Sequence, residues 1–181
     1  MAKSSSKGFT LIEIIIVIVI LSIISAISIK FVVDSLRIYT MTVNQKTLFD
    51  EGKLALERMC RDIRDARSVT RPFTGSSSNW MRLIRTNATS GDVVSETIDY
   101  QLTGTTLEKD KATPNVTVAL ASNVSAFTVT RSTNDEITLE LTLSLGSGEN
   151  VTLRTKVYPK NLADDLIYRY YFQNWQEEIS S

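Results

Sequence analysis

The chain has 181 residues, with 20 Lys+Arg against 20 Asp+Glu, no His and a single Cys. That length suits one globular domain plus a membrane segment rather than two domains, and the balanced charge lacks the basic footprint of a nucleic-acid binder. The commonest general base and metal ligand is missing with His, and Cys60 alone can form neither an intrachain disulfide nor a multi-Cys metal site. Composition therefore points away from an enzyme and towards a structural or interaction protein. It offers no catalytic residue, no metal ligand set and no cofactor.

The first element is a long apolar run. From Ile14 to Ile29 every residue is apolar, Ser or Ala. Extended back to Phe9 the run reaches the ~20 residues that a bilayer-crossing helix needs, with one charge, Glu13, near its start. The flank before it, MAKSSSK, carries Lys3 and Lys7. The positive-inside rule then puts the N-terminus in the cytoplasm and the chain from Lys30 onward outside. Three readings fit. One is a cleaved secretory signal, with Ala26–Ser28 as the small-residue cleavage site, although the run is long for an apolar region of about 7–15 residues. Another is an uncleaved signal anchor, which accounts for length and orientation but not for Glu13. The third takes KGFTLIE as one motif: Gly8 after a Lys, then Phe9, then Glu13 four residues on. An ionisable group at the centre of a membrane helix costs about 2.5–3.5 kcal/mol, less towards its end, and normally has a partner.

No Pro or Gly interrupts the chain between Phe9 and Glu51, and the pattern predicts one helix from Phe9 to about Arg67. Residues 9–30 form its hydrophobic half and 31–68 its amphipathic half. Leu48, Gly52, Ala55, Leu56, Met59, Ile63 and Ala66 recur at three- and four-residue steps, a single face. Glu51, Lys53, Glu57, Arg58, Arg61, Asp62, Arg64 and Asp65 read as the solvated face. Pairs such as Glu57–Arg61 there are worth little. Gly52, inside the stripe, costs about 1 kcal/mol in helix propensity; it marks either the close approach of a strand or a tolerated defect. Cys60, at the stripe's edge, reads as a small core residue.

Residues 69–181 change texture. RPFTGSSSNW reads as a loop. Short period-two segments follow at 80–85, 96–102, 105–109, 116–121, 125–131, 136–145 and 150–158, rich in Val, Ile, Leu and Thr. Thr103-Gly104 and SLGSGEN read as hairpin turns. Ile137, Leu139, Leu141, Leu143 and Leu145 share one face of a strand, and Val151, Leu153, Thr155 and Val157 one face of the next. Both faces are expected on the helix stripe at Leu56, Met59 and Ile63. The fold class is α+β: a long N-terminal helix, hydrophobic half transmembrane, packed on a C-terminal antiparallel sheet. Beyond it, Tyr168, Tyr170, Tyr171, Phe172 and Trp175 cluster in an aromatic tail that either binds a partner or folds back onto the sheet. The chain is Thr- and Ser-rich, so chance can supply the Asn-x-Ser/Thr triplets at Asn87, Asn115, Asn123 and Asn150, which are read as unglycosylated.

KGFTLIE with the unbroken apolar run behind it resembles the class III leader of bacterial type IV pilins and type II secretion pseudopilins. The resemblance implies a leader peptide over 1–8. Prepilin peptidase would cut between Gly8 and Phe9 on the cytoplasmic face and N-methylate Phe9, removing Lys3 and Lys7. It also implies that Glu13 pairs with the Phe9 amine of a neighbouring subunit; the bland alternative is a Glu snorkelling in the cytoplasmic interface. LALERMCRDIRDARSV, TIDYQLTGTTLEKD and ALASNVSAFTVTR are similar to segments of J-type minor pseudopilins and W-type minor pilins. Two features depart from the major pilins: Lys30 stands where a Pro is usual, and one Cys cannot close their C-terminal disulfide loop. The expected function is a minor pilin or minor pseudopilin, a structural subunit at or near a fibre tip that acts in fibre initiation and assembly. The alternatives are a major pilin or a membrane-anchored periplasmic enzyme. Expected partners are prepilin peptidase, other pilin or pseudopilin subunits and the assembly platform of the inner membrane, with no nucleic acid. The expected location is the bacterial cytoplasmic membrane, single-pass with the C-terminal domain outside, and then the pilus or pseudopilus.

Overall fold

A computed structural model describes residues 8–85, 96–112 and 115–162. The chain divides into two units, Met1–Val43 and Asn44–Ser181, and one helix, α1 (Leu11–Arg64, 54 residues), runs through both.

In the first unit every described residue is exposed. The run IIIVIVI is β-branched throughout, and β-branched residues are mediocre helix formers in water. Helix is nonetheless what an apolar surrounding demands, because only a helix satisfies all its backbone donors and acceptors internally. The hydroxyls follow the same rule. Ser22 Oγ donates to the Ile18 carbonyl (2.7 Å) and Ser35 Oγ to the Phe31 carbonyl (2.7 Å).

In the second unit α1 buries Leu48, Gly52, Ala55, Leu56, Met59, Asp62 and Ile63. The apolar members are the face that the three- and four-residue spacing predicts. The helix stops at Arg64, earlier than the expected Arg67. Arg61 and Arg64 lie in its last turn, where they complement the negative end of the helix. The chain then enters β1 (Ala66–Arg71) directly, so Ala66 is buried from a strand and not from the helix. The backbone N–H of Lys160 donates to the Arg64 carbonyl (3.1 Å), satisfying one of the helix-end acceptors.

The expected strands form, as β3 (Trp80–Arg85), β4 (Thr97–Thr103), β5 (Thr106–Lys111), β6 (Val116–Ala121), β7 (Val124–Arg131), β8 (Ile137–Ser144) and β9 (Asn150–Val157). β1 was not expected, nor was β2 (Ser76–Ser78), which lies inside the stretch read as a loop. There Arg71 stacks over Phe73 (4.6 Å) and Trp80 (5.3 Å), holding the connection to the sheet.

The α+β class holds, with a correction: two antiparallel sheets stand where one was expected. Their orders are β1-β3-β4-β5-β6 and β2-β7-β8-β9. The chain changes sheet after β6, at a corner where Asn123 takes φ 55°. Glu51 of α1 fixes that corner: its Oε1 accepts from the Ser122 backbone N–H (2.6 Å) and hydroxyl (2.7 Å). The two-residue turn from β4 to β5 uses Gly104 at φ 62°, the left-handed region that favours glycine.

Each sheet holds α1 by a different means. On β8 Ile137, Leu139, Leu141 and Leu143 are fully buried, and β8 pairs with β9 from Ile137↔Val157 to Ser144↔Asn150. A Cβ at Gly52 would lie 2.7 Å from Cδ1 of both Leu143 and Leu153. Gly52 thus marks the close approach of a hairpin. Asn44 Nδ2 adds a hydrogen bond to Glu149 Oε1 in the β8–β9 turn (3.3 Å).

The other sheet grips Asp62. This residue was read on the solvated face, yet it is buried. Its carboxylate accepts from the Tyr100 hydroxyl (β4) and from Lys109 Nζ (β5, 2.6 Å), and it pairs with Arg85 (β3, 3.4 Å). Arg85 Nε also lies 3.5 Å from Asp65. Removing one partner from a buried ionic cluster costs about 3–5 kcal/mol, because the remaining charges stay buried. By contrast Lys53–Glu57, exposed at 3.8 Å, contributes little.

Burial first, and the Asp62 charge second, push the Tyr100 hydroxyl well above its ordinary value near 10. A raised folded-state value means that this contribution is complete below about pH 10 and is lost as pH rises through the folded value. Tyr100→Phe is expected to lower unfolding stability by about 1.5–3 kcal/mol at pH 7, the worth of a hydrogen bond to a charged group. Urea unfolding of the full chain in micelles from pH 7 to 11 should show the gap to wild type narrowing above about pH 10. A constant gap would contradict the assignment.

Candidate functional site

The residues singled out in the sequence, Gly8, Phe9 and Glu13, lie together at the N-terminal end of α1. Among the described residues Gly8 sits in open space: a Cβ there would meet none of their atoms within 4 Å. Nothing in the described residues requires glycine at that position. Phe9 is 77% exposed.

Glu13 lies in the first turn of the helix. Its backbone N–H faces the Thr10 hydroxyl at 3.4 Å and the Thr10 carbonyl at 3.1 Å, and the Ile14 N–H reaches the same carbonyl at 3.3 Å. Thr10 is therefore the N-cap, and it satisfies one of the free donors of the helix start. Sequence reasoning passed over this residue. Its signal was present, since Thr10-Leu11-Ile12-Glu13 has the Ser/Thr-x-x-Glu spacing of a capping box.

The position changes the energetics of the Glu13 charge. A carboxylate in the first helical turn gains about 0.3–1 kcal/mol from the helix dipole. That falls short of the roughly 2.5–3.5 kcal/mol for a charge at a membrane helix centre. At the membrane surface the dipole goes far to offset the cost. In a dry surrounding it does not, and a carboxylate there is stable only when paired or neutralised.

The helix contains an 18-residue window of mean hydropathy 3.0 with none of it buried, long and apolar enough to cross a membrane. Among the described residues no group of three or more His, Cys, Asp and Glu could hold a metal ion. Cys60 is half-buried and packs against the core cluster. Burial pushes its thiol up, against the opposing pull of a Thr155 hydrogen bond and the Arg64 charge. A thiol so placed is a poor nucleophile at neutral pH. Residues 1–7, Asn87 and the aromatic tail from Tyr168 to Trp175 lie outside the described residues.

Residues 3–29 match the family model for the prokaryotic N-terminal methylation motif, which is type IV pilin-like. No curated protein and no solved structure gives a significant match to the chain. The chain thus carries a prepilin-type methylation motif at the head of a long hydrophobic helix. The motif supports a protein of the type IV pilin or pseudopilin kind, a structural subunit rather than an enzyme. It implies processing by a prepilin peptidase and assembly with other pilin subunits, and the hydrophobic helix is consistent with an inner-membrane anchor.

Thr10→Ala is expected to weaken the first turn by about 1 kcal/mol. Amide hydrogen exchange at Glu13 should then run about fivefold faster, and Thr10→Ser should restore the wild-type rate. Unchanged exchange in the alanine variant would remove Thr10 as the cap.

Proposed function

We propose that the chain is a minor pilin or minor pseudopilin, closest to the J-type and W-type subunits, that acts at or near the tip of a fibre in its initiation and assembly. The observation that carries this reading is the methylation motif over residues 3–29 at the head of a helix whose apolar surface is exposed among the described residues. In this reading residues 1–8 are the leader, 9–30 the membrane and fibre-core half of the helix, 31–68 the amphipathic half with its turn into the β domain, and 69–181 the β domain and tail.

The residues take these roles. Prepilin peptidase cuts between Gly8 and Phe9 and methylates the new Phe9 amine. The open space around Gly8 supports recognition from outside, because no packing or backbone demand among the described residues calls for glycine there. The Glu13 carboxylate then pairs with the Phe9 amine of the adjacent subunit. In a dry helical core the pair satisfies a charge that the helix dipole alone does not offset, and it penalises a subunit in the wrong register.

Lys30 favours the minor role over the major one. It stands in uninterrupted helix, where the major pilins usually carry a Pro. The lone Cys60 points the same way. Anchoring in the cytoplasmic membrane with the β domain outside follows from Lys3 and Lys7 ahead of the apolar run.

N-terminal sequencing and intact mass of the chain recovered from cells tests this reading. The mature chain should begin at N-methylated Phe9. A chain that begins at Met1, or after Ser28, would overturn it.

A further inference from the structure

A groove of about 780 Å³ runs between α1 and β9 in the second unit. Leu56, Cys60 and Leu153 supply apolar lining, and Phe49, 45% exposed, stands at one end. β9 is the last strand of its sheet, with no further strand beside it among the described residues. An edge strand next to an apolar trough calls for a cover. The charge of the lining is one-sided: Lys53, Arg61, Arg64, Arg154 and Lys160 against Glu57 and Asp65.

We propose that residues 163–181 of the same chain dock into this groove, laying their aromatic side chains against its apolar lining and their carboxylates against its basic rim. Three observations support that occupant. The first is composition: the segment holds Tyr168, Tyr170, Tyr171, Phe172 and Trp175, with Asp164, Asp165, Glu177 and Glu178 against the single base Arg169. It is acidic where the groove is basic, and its rings suit both the apolar lining and the guanidinium groups beside it.

The second is where the segment starts. Lys160 and Asn161 line the groove, the Lys160 N–H is held by the Arg64 carbonyl (3.1 Å), and Leu162 packs against the core. The chain is thus delivered to the Arg64 end of the groove. The third is reach. From Arg64 back to Phe49 the helix rises about 22 Å, which about seven extended residues span, so the segment is long enough. A tether this short gives an effective concentration in the millimolar range, above that of any second copy at micromolar protein. The inference is independent of leader processing and holds for the uncleaved chain.

Cys60, the chain's lone thiol, reports on the groove. The full chain in detergent micelles is labelled with a maleimide at one pH, with rates normalised to the denatured chain, and compared with a chain ending at Leu162. Docking in cis predicts labelling at least about tenfold slower in the full chain, by the same factor at every protein dilution. Equal rates overturn the proposal, as does protection that disappears on dilution, which would make a second copy the occupant. A second measurement keeps the shortened chain from deciding alone. In full-length Trp80→Phe, Trp175 is the sole tryptophan, and docking gives it blue-shifted emission. Adding Arg61→Glu and Arg154→Glu should shift that emission to the red and raise Cys60 labelling about tenfold. Emission and labelling that ignore both charge reversals would also overturn the proposal.

Discussion

The constraint on which the protein depends is a helix surface that the described residues leave exposed. From Leu11 to Val43 every residue of α1 is exposed, and the run through Ile29 is apolar on all sides. A helix hydrophobic all round is stable only when something buries it. Each Ile, Leu or Val so covered contributes about 1.5–3 kcal/mol, so the cover is worth tens of kcal/mol to whatever supplies it. A bilayer supplies it for a single chain, and copies of the same kind of helix can supply it in a fibre. Transfer from one to the other changes little for the apolar side chains. In the proposed reading it changes much for Glu13, whose surroundings would go from a membrane surface to a dry core. In the proposed reading the carboxylate therefore acts as the discriminating group, and the apolar run acts as the common adhesive.

The second unit answers a different requirement. Its half of α1 must be held in one orientation on the sheets, and it is held twice by unlike forces. Gly52 lets Leu143 and Leu153 come close, a contact any larger residue would crowd. Asp62 engages Tyr100, Lys109 and Arg85 from three consecutive strands of the other sheet. The first contact is non-directional and sets distance; the second is directional and sets rotation about the helix axis. Glu51, which fixes the corner at Ser122, adds a point where helix and sheet crossover are defined together.

Much of this architecture is legible in the sequence because it rests on short periods. The stripe from Leu48 to Ile63 repeats every three or four residues, and the strands repeat every two, so fold class and core face follow directly. What escaped depends on partners far apart in the chain. Asp62 looks like one more member of a charged helix face; only Tyr100 and Lys109, 38 and 47 residues away, make it a buried one. The crossing from the first sheet to the second after β6 turns at a corner fixed by Glu51 from 71 residues earlier. The helix end was misplaced because no Gly or Pro marks it; the stop comes from Ala66 and Val69 being drawn into a strand. At the N-terminal site the motif itself was readable. The capping role of Thr10 was readable too, but it was hidden inside a motif that draws attention to its glycine and its glutamate.

The claim at the centre is that the Glu13 carboxylate finds a cation only when the helix leaves the membrane for a neighbouring subunit. The most direct measurement is the partition of processed chain between membrane and sheared fibre fractions, for wild type, Glu13→Ala, Glu13→Gln and Glu13→Asp, with the mature N-terminus checked by mass. The account predicts normal processing in all four. The fibre fraction should fall by about tenfold or more for Ala and Gln, a loss of about 1.4 kcal/mol or more, with Asp intermediate. Wild-type fibre levels for the processed Glu13→Ala chain would contradict it.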